Sequence, residues 1–219
     1  MRTIQIFIIV FTVLTLACNK DEDICVKNVT FDYNYITLNE TDLIKAESLF
    51  AENNLKYENI RFTLLTETEL HIIVKGYRYV NDLRLFTEPL IYYFIKTFPQ
   101  RLDFINGDTL LPASINLGTT PQMDVETVIS LYKSIIEADD RIDWNKSLCY
   151  AVEFGYYDLN VSTTLDEVNY VQAWKINPDG GFVPLVYIND TTEELIYYDN
   201  GIRSQNFNNQ IVNRIKINY

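Results

Sequence analysis

Three cysteines, Cys18, Cys25 and Cys149, and one histidine, His71, are the side chains of this 219-residue chain best suited to covalent or metal chemistry. A single imidazole cannot supply the paired ligands of an HExxH zinc site or any multi-histidine centre. His71 sits in ELHIIVKG, between apolar residues, in the setting of a sheet-face histidine. A relay through it would need a nucleophile context such as GxSxG, which the sequence lacks, as it lacks GxGxxG and GxxxxGK[ST] phosphate loops. The acids run together as Asp21-Glu22-Asp23, Asp139-Asp140 and Glu193-Glu194. Such runs read as solvated faces, because paired catalytic carboxylates need a fixed separation across a cleft. Asp139-x-Arg141-x-Asp143 lacks the glycine and closing glutamate of a calcium loop. No catalytic residue, metal or cofactor is therefore expected.

Cys18 carries the chemistry that the sequence does support. Arg2 precedes an apolar run, Ile4 to Ala17, interrupted only by Gln5, Thr12 and Thr15. As a helix this run reaches about 21 Å, short of the ~30 Å hydrocarbon core of a bilayer. A charged start, a short apolar centre and a small residue before the cut make residues 1–17 a secretory signal peptide. Leu14-Thr15-Leu16-Ala17-Cys18 resembles a bacterial lipobox, with Thr15 standing where leucine is usual. Lys20-Asp21-Glu22-Asp23 resembles the export signal of surface lipoproteins in one Gram-negative phylum. The two together imply a lipidated Cys18, a tether over residues 18–30, and a protein anchored in the outer membrane and exposed at the cell surface. Each buried methylene of the acyl chains contributes ~0.8 kcal/mol, and more than one chain makes the anchoring durable.

With 18 basic and 30 acidic side chains, the net charge is -12. An acidic surface is repelled by phosphates, which argues against nucleic acid as a partner, and it attracts basic proteins. Tyrosine and phenylalanine number 16 and 12, a composition that favours sheet. In an oxidising envelope Cys25 and Cys149 are candidates for a disulfide, and two free thiols are the equal alternative.

The elements that must position these residues follow from periodicity. Residues 39–54 read as a helix capped by Asn39 or Thr41, with Leu43, Ala46, Leu49 and Phe50 on one face. The period then changes to two, predicting antiparallel strands over 59–67, 69–80, 84–96 and 101–107, with Pro89 marking a bulge or an edge. Residues 111–122, with two prolines and a glycine, are the best internal boundary. A second helix is predicted over 124–140, capped by Asp124, with Val125, Val128, Ile129, Tyr132, Ile135 and Ile136 forming its apolar stripe. Strands return at 147–159, 167–177, 182–189 and 194–200. Adjacent tyrosines such as Tyr156 and Tyr157 must point to opposite faces, so some aromatic rings face outward. The expected fold class is α+β: two successive helix-on-antiparallel-sheet subdomains, residues 31–118 and 119–219.

The second half resembles a PepSY domain. Trp174, the 177–181 turn, Tyr187-Ile188-Asn189-Asp190 and Glu194-Leu195-Ile196 occupy that family's motif positions, with Asn189 where it usually has Asp and Glu193 where it usually has Gly. The first half is similar to the module that precedes PepSY in propeptides of thermolysin-type peptidases. YVNDLRLF (79–86) fits its aromatic-x-Asn-Gly turn with Asp82 replacing Gly, and FINGDTL (104–110) its last strand. The resemblance implies a non-enzymatic protein binder that restrains a secreted peptidase. The alternatives are a glycan- or small-ligand-binding surface lipoprotein using aromatic sheet faces, and an envelope structural protein.

If Cys18 is lipidated, Cys18→Ala should abolish palmitate labelling and shift the protein out of the membrane fraction. Replacing Lys20, Asp21, Glu22 and Asp23 together by Ala should leave labelling intact and remove protease accessibility on whole cells. Membrane retention of Cys18→Ala would overturn the anchor, and unchanged accessibility of the other variant would reduce the acidic tract to a linker.

Overall fold

The computed structural model describes residues 25–29, 38–86, 89–107, 116–142, 149–160 and 168–202. Cys18 and Lys20 to Asp23 lie outside them. The described chain is β1 (Val26–Asn28), α1 (Glu40–Glu52), β2 (Ile60–Glu67), β3 (His71–Val80), β4 (Leu83–Leu85), β5 (Leu90–Ile95), β6 (Leu102–Asn106), α2 (Val125–Glu137), β7 (Tyr150–Asp158), β8 (Tyr170–Pro178), β9 (Leu185–Asn189) and β10 (Leu195–Asp199).

Both helices start where side chains satisfy orphan backbone donors. Asn39 accepts from the Asp42 amide at 2.9 Å and Asp124 from the Thr127 amide at 2.7 Å. Helix α1 buries Ala46, Leu49 and Phe50, with the Phe50 ring 4.5–5.9 Å from those of Tyr57, Phe62, Tyr92 and Phe94. Helix α2 buries Val128, Ile129, Leu131, Tyr132, Ile135 and Ile136 against Val152, Phe154, Tyr156, Trp174, Ile176, Val186 and Ile188.

The two expected helix-on-sheet subdomains are not what the chain builds. Among the described residues the protein is mostly β, 43% strand against 18% helix, and all ten described strands belong to one curled, mostly antiparallel sheet. The join lies at β4. Asn81 and Asp82, both at positive φ (51° and 62°), form the two-residue turn that folds β4 back on β3. Beyond Leu85 the chain leaves the strand and resumes pairing with β3 as β5, on the far side of Pro89, which has no amide to donate. That interruption leaves the outer edge of β4 free of β6. Strand β7 takes it in parallel, Arg84 opposite Gly155 and Leu85 opposite Tyr156, and the Phe86 amide donates to the Tyr156 carbonyl at 2.7 Å. Leu83 and Leu85 then fall into the core under α2. A Cβ on Gly155 would stand 2.5 Å from the Arg84 carbonyl oxygen, so the close approach of these strands requires glycine there.

Strand β1 lies along the same edge of β7, parallel to it, with Val26 opposite Tyr150. Cys25 and Cys149 form a disulfide just ahead of both strands, 124 residues apart in sequence. On chain-entropy grounds a loop of that length contributes roughly 5 kcal/mol, so the short strand is held far more firmly than its three residues alone would hold it. At the opposite end of the sheet Asp190 is 1% exposed and accepts from Trp174 Nε1 (2.8 Å), the Gln122 amide (2.7 Å) and the Met123 amide (3.1 Å). This carboxylate fixes the approach to α2 over the strand that carries Trp174. At the other end of α2, Asp139 accepts from Arg141, from the Tyr198 hydroxyl (2.8 Å) and from Asn200 (2.9 Å), and these bonds, the Arg141 guanidinium first, hold its carboxyl well below the usual range.

Ile135 is 5% exposed in the α2 seam, so Ile135→Asp should cost about 3 kcal/mol or more, whereas Ser130→Gln on the exposed side should stay within about 0.5 kcal/mol. Urea unfolding of the two variants checks this. Equal losses would mean that α2 is not seated on the sheet as described.

Candidate functional site

Both helices pack on one side of the sheet, and the other side carries a different set of side chains. Alternation along β7 sends Tyr150, Val152, Phe154 and Tyr156 under α2 and leaves Glu153, Gly155 and Tyr157 opposite. Register then aligns Glu153 with Lys175 of β8, Lys175 with Tyr187 of β9, and Tyr187 with Tyr197 of β10. Arg84 of β4 joins from the neighbouring strand.

Arg84 Nη1 donates to Glu153 Oε2 at 3.1 Å, and Lys175 Nζ lies 3.6 Å from the same oxygen. Arg84 and Glu153 side chains are each 8% exposed, Lys175 22%. The guanidinium carbon sits 3.6 Å above the Tyr77 ring. Tyr187 lies at the centre of an aromatic group, 5.2 Å from Phe86, 4.9 Å from Tyr157 and 5.9 Å from Tyr197 by ring centroids. Two cations facing one carboxylate leave a buried surplus of positive charge, in a chain whose net charge is -12. Taking charges out of water costs several kcal/mol per ion unless pairing is complete, so this group is held against its own desolvation. Burial, and then the Arg84 charge, push the Lys175 amine below its ordinary value. Burial pushes the Tyr187 hydroxyl well up, and the Tyr157 and Tyr197 hydroxyls up as well.

The residues singled out from sequence scatter elsewhere. His71 lies at the far tip of β3, its Nε2 2.8 Å from Asp103 Oδ2, with Tyr93 and Phe104 beside it as a stacked pair at 4.1 Å. Its ring makes no other hydrogen bond among the described residues. Glu193 and Glu194 lie in the β9–β10 turn, Asp139 is spent on α2, and Asp143 is outside the described residues. No group of three metal-ligating side chains occurs among the described residues. Of the tyrosines, Tyr150 and Tyr156 are core, whereas Tyr157 and Tyr197 face the side opposite α1 and α2.

Sequence reasoning missed Arg84, Glu153 and Lys175. A signal was present: each interrupts an apolar strand, in LRL, AVEFG and AWKIN, at a position whose neighbours on both sides belong to the core. Three such interruptions mean either three strained strands or one shared cluster.

The tyrosines make stability fall at high pH. Their folded values lie above the unfolded ~10, so their contribution is complete below pH ~10 and is lost as pH rises from there through the folded values. Lys175 acts in the opposite sense over a lower window, its penalty being relieved between its depressed folded value and ~10.4. Tyr187→Phe should therefore change stability little at neutral pH and move the alkaline unfolding midpoint upward. Circular dichroism against pH checks this, and an unmoved midpoint would place Tyr187 in water.

No family model matches this chain, and neither a curated protein nor a solved structure matches it, so the chemistry of this face has to be read from its own residues.

Proposed function

We propose that the chain is a non-enzymatic lipoprotein, anchored in the outer membrane by lipid on Cys18 and exposed at the cell surface, that binds a protein partner through the face of its sheet opposite α1 and α2. The observation that carries the reading is the makeup of that face: the part-exposed Tyr77, Tyr157, Tyr187 and Tyr197 over the buried Arg84 and Phe86. Aromatic rings and arginine are the side chains that contribute most at protein interfaces, where they combine large apolar area with directional donors. Here they stand on paired strands rather than loops, so little ordering entropy is lost on binding. A secreted peptidase is the partner to try first, given the resemblance to propeptide modules.

A second reading, an acidic glycan or small carboxylate ligand, is favoured by the charge surplus of Arg84 and Lys175 over Glu153. An acid group on the ligand would complete that pairing while sugar faces stack on tyrosine.

The soluble chain from residue 19 should slow a thermolysin-like peptidase at close to one-to-one stoichiometry without being rapidly digested. Tyr157→Ala with Tyr197→Ala should weaken that inhibition about tenfold or more, in protein that circular dichroism shows still folded at the assay temperature. Rapid digestion without inhibition, across several secreted metallopeptidases, would end the peptidase reading. Binding of a uronate-bearing oligosaccharide that Lys175→Met abolishes would then put the ligand reading in its place.

A further inference from the structure

We propose that the end of the sheet beside the Cys25–Cys149 disulfide is a membrane-docking surface, seated on the bilayer interface by Phe182, Val183 and Ile202. The three side chains are 90%, 41% and 51% exposed. Their backbones adjoin: a Cβ on Gly201 would lie 2.6 Å from Val183 Cγ2, so the residue before Ile202 lies against the residue after Phe182. An isolated exposed apolar residue is ordinary on a protein surface, whereas three together, one of them an aromatic ring almost wholly in water, need a neighbour.

The turn that presents Phe182 is held from both sides. The Asp179 amide donates to the Cys149 carbonyl at 2.8 Å, and the Gly181 amide to the Pro178 carbonyl at 2.9 Å. The buried Tyr132 hydroxyl donates to the Pro184 carbonyl at 3.1 Å. The patch is thus pre-organised and adjacent to the disulfide, instead of hanging from a free loop.

Chain length names the occupant. Cys25 follows Cys18 by seven residues, which fully extended span at most about 25 Å. Lipid on Cys18 therefore keeps the bilayer within that distance of the disulfide end. Strands β4 and β5 run in the direction of β7, so the other exposed apolar tip, Leu70 and Phe98 at 71% and 93%, lies on the order of 40 Å away along the strands and out of the tether's easy reach. Phe, Val and Ile are side chains that settle at the headgroup–acyl boundary.

The proposal rests on the lipid anchor, and the test separates the two. Lipidated full-length mature protein carrying Phe182→Trp or Phe98→Trp is reconstituted into dioleoylphosphatidylcholine vesicles, with and without brominated acyl chains. Brominated lipid should quench the added emission at position 182 by about twofold or more and leave position 98 nearly unchanged, the native tryptophans being a common background. Adding Ile202→Asp should reverse much of the quenching at 182. Vesicle-bound protein with no quenching at 182, its patch covered by another part of the chain or by a second copy, overturns the docking surface, as does equal quenching at both positions. Protein that never sediments with vesicles instead overturns lipidation. Coupling the Cys18 thiol to a maleimide-headgroup lipid then restores the tether, and the same comparison decides.

Discussion

Two residues of parallel pairing, Arg84 and Leu85 against Gly155 and Tyr156, hold the architecture together. Without them the chain would be two pieces of sheet, each with an open edge of unpaired amides and carbonyls, and such edges invite association with other chains. With them, the hydrogen-bond network continues from β6 to β10. The same pairing delivers Leu83 and Leu85 to the core under α2 and swings Arg84 to the opposite face beside Glu153. One short contact thus fixes both a core and a buried charged cluster.

That coupling explains why the cluster is built at some cost in stability. A salt-bridged trio with a positive surplus is a poor stabiliser compared with apolar residues of similar size. What the cluster has instead is fixed position: the Arg84 guanidinium is held over the Tyr77 ring, and Lys175 stands opposite Tyr187 in register. The strands under them are covered on the other side by α2, whose seat is fixed at one end by Asp190 and at the other by Asp139. Rigidity and partial desolvation both sharpen electrostatic recognition.

Local elements were legible in the sequence because their signals are local. The caps at Asn39 and Asp124, the alternation through β3 and β7, the turn at Asn81-Asp82 and the interruption at Pro89 all depend on residues a few positions apart. Assembly was not legible. The β4–β7 and β1–β7 pairings join segments about 70 and 124 residues apart and are parallel, so no hairpin turn announces them. A reading built on consecutive antiparallel strands therefore divided at the proline-rich stretch 111–122 what backbone hydrogen bonds join at Leu85. The charged cluster was hidden for the same reason: Arg84 meets Glu153 only once the two halves are known to share an edge.

The disulfide also sets the path of mechanical load. A pull on the chain ahead of β1 takes effect first at Cys25. Hydrogen bonds of a three-residue strand would peel apart one after another under that pull. The sulfur bridge passes the tension instead to Cys149 and so to the start of β7, a strand paired along both edges with β1, β4 and β8. Everything between the two cysteines drops out of the covalent line of force, including the first helix and the whole β2–β6 branch. Tension applied through that segment would thus reach the tyrosine-bearing strands directly, with the residues between the two cysteines left unstretched beside them.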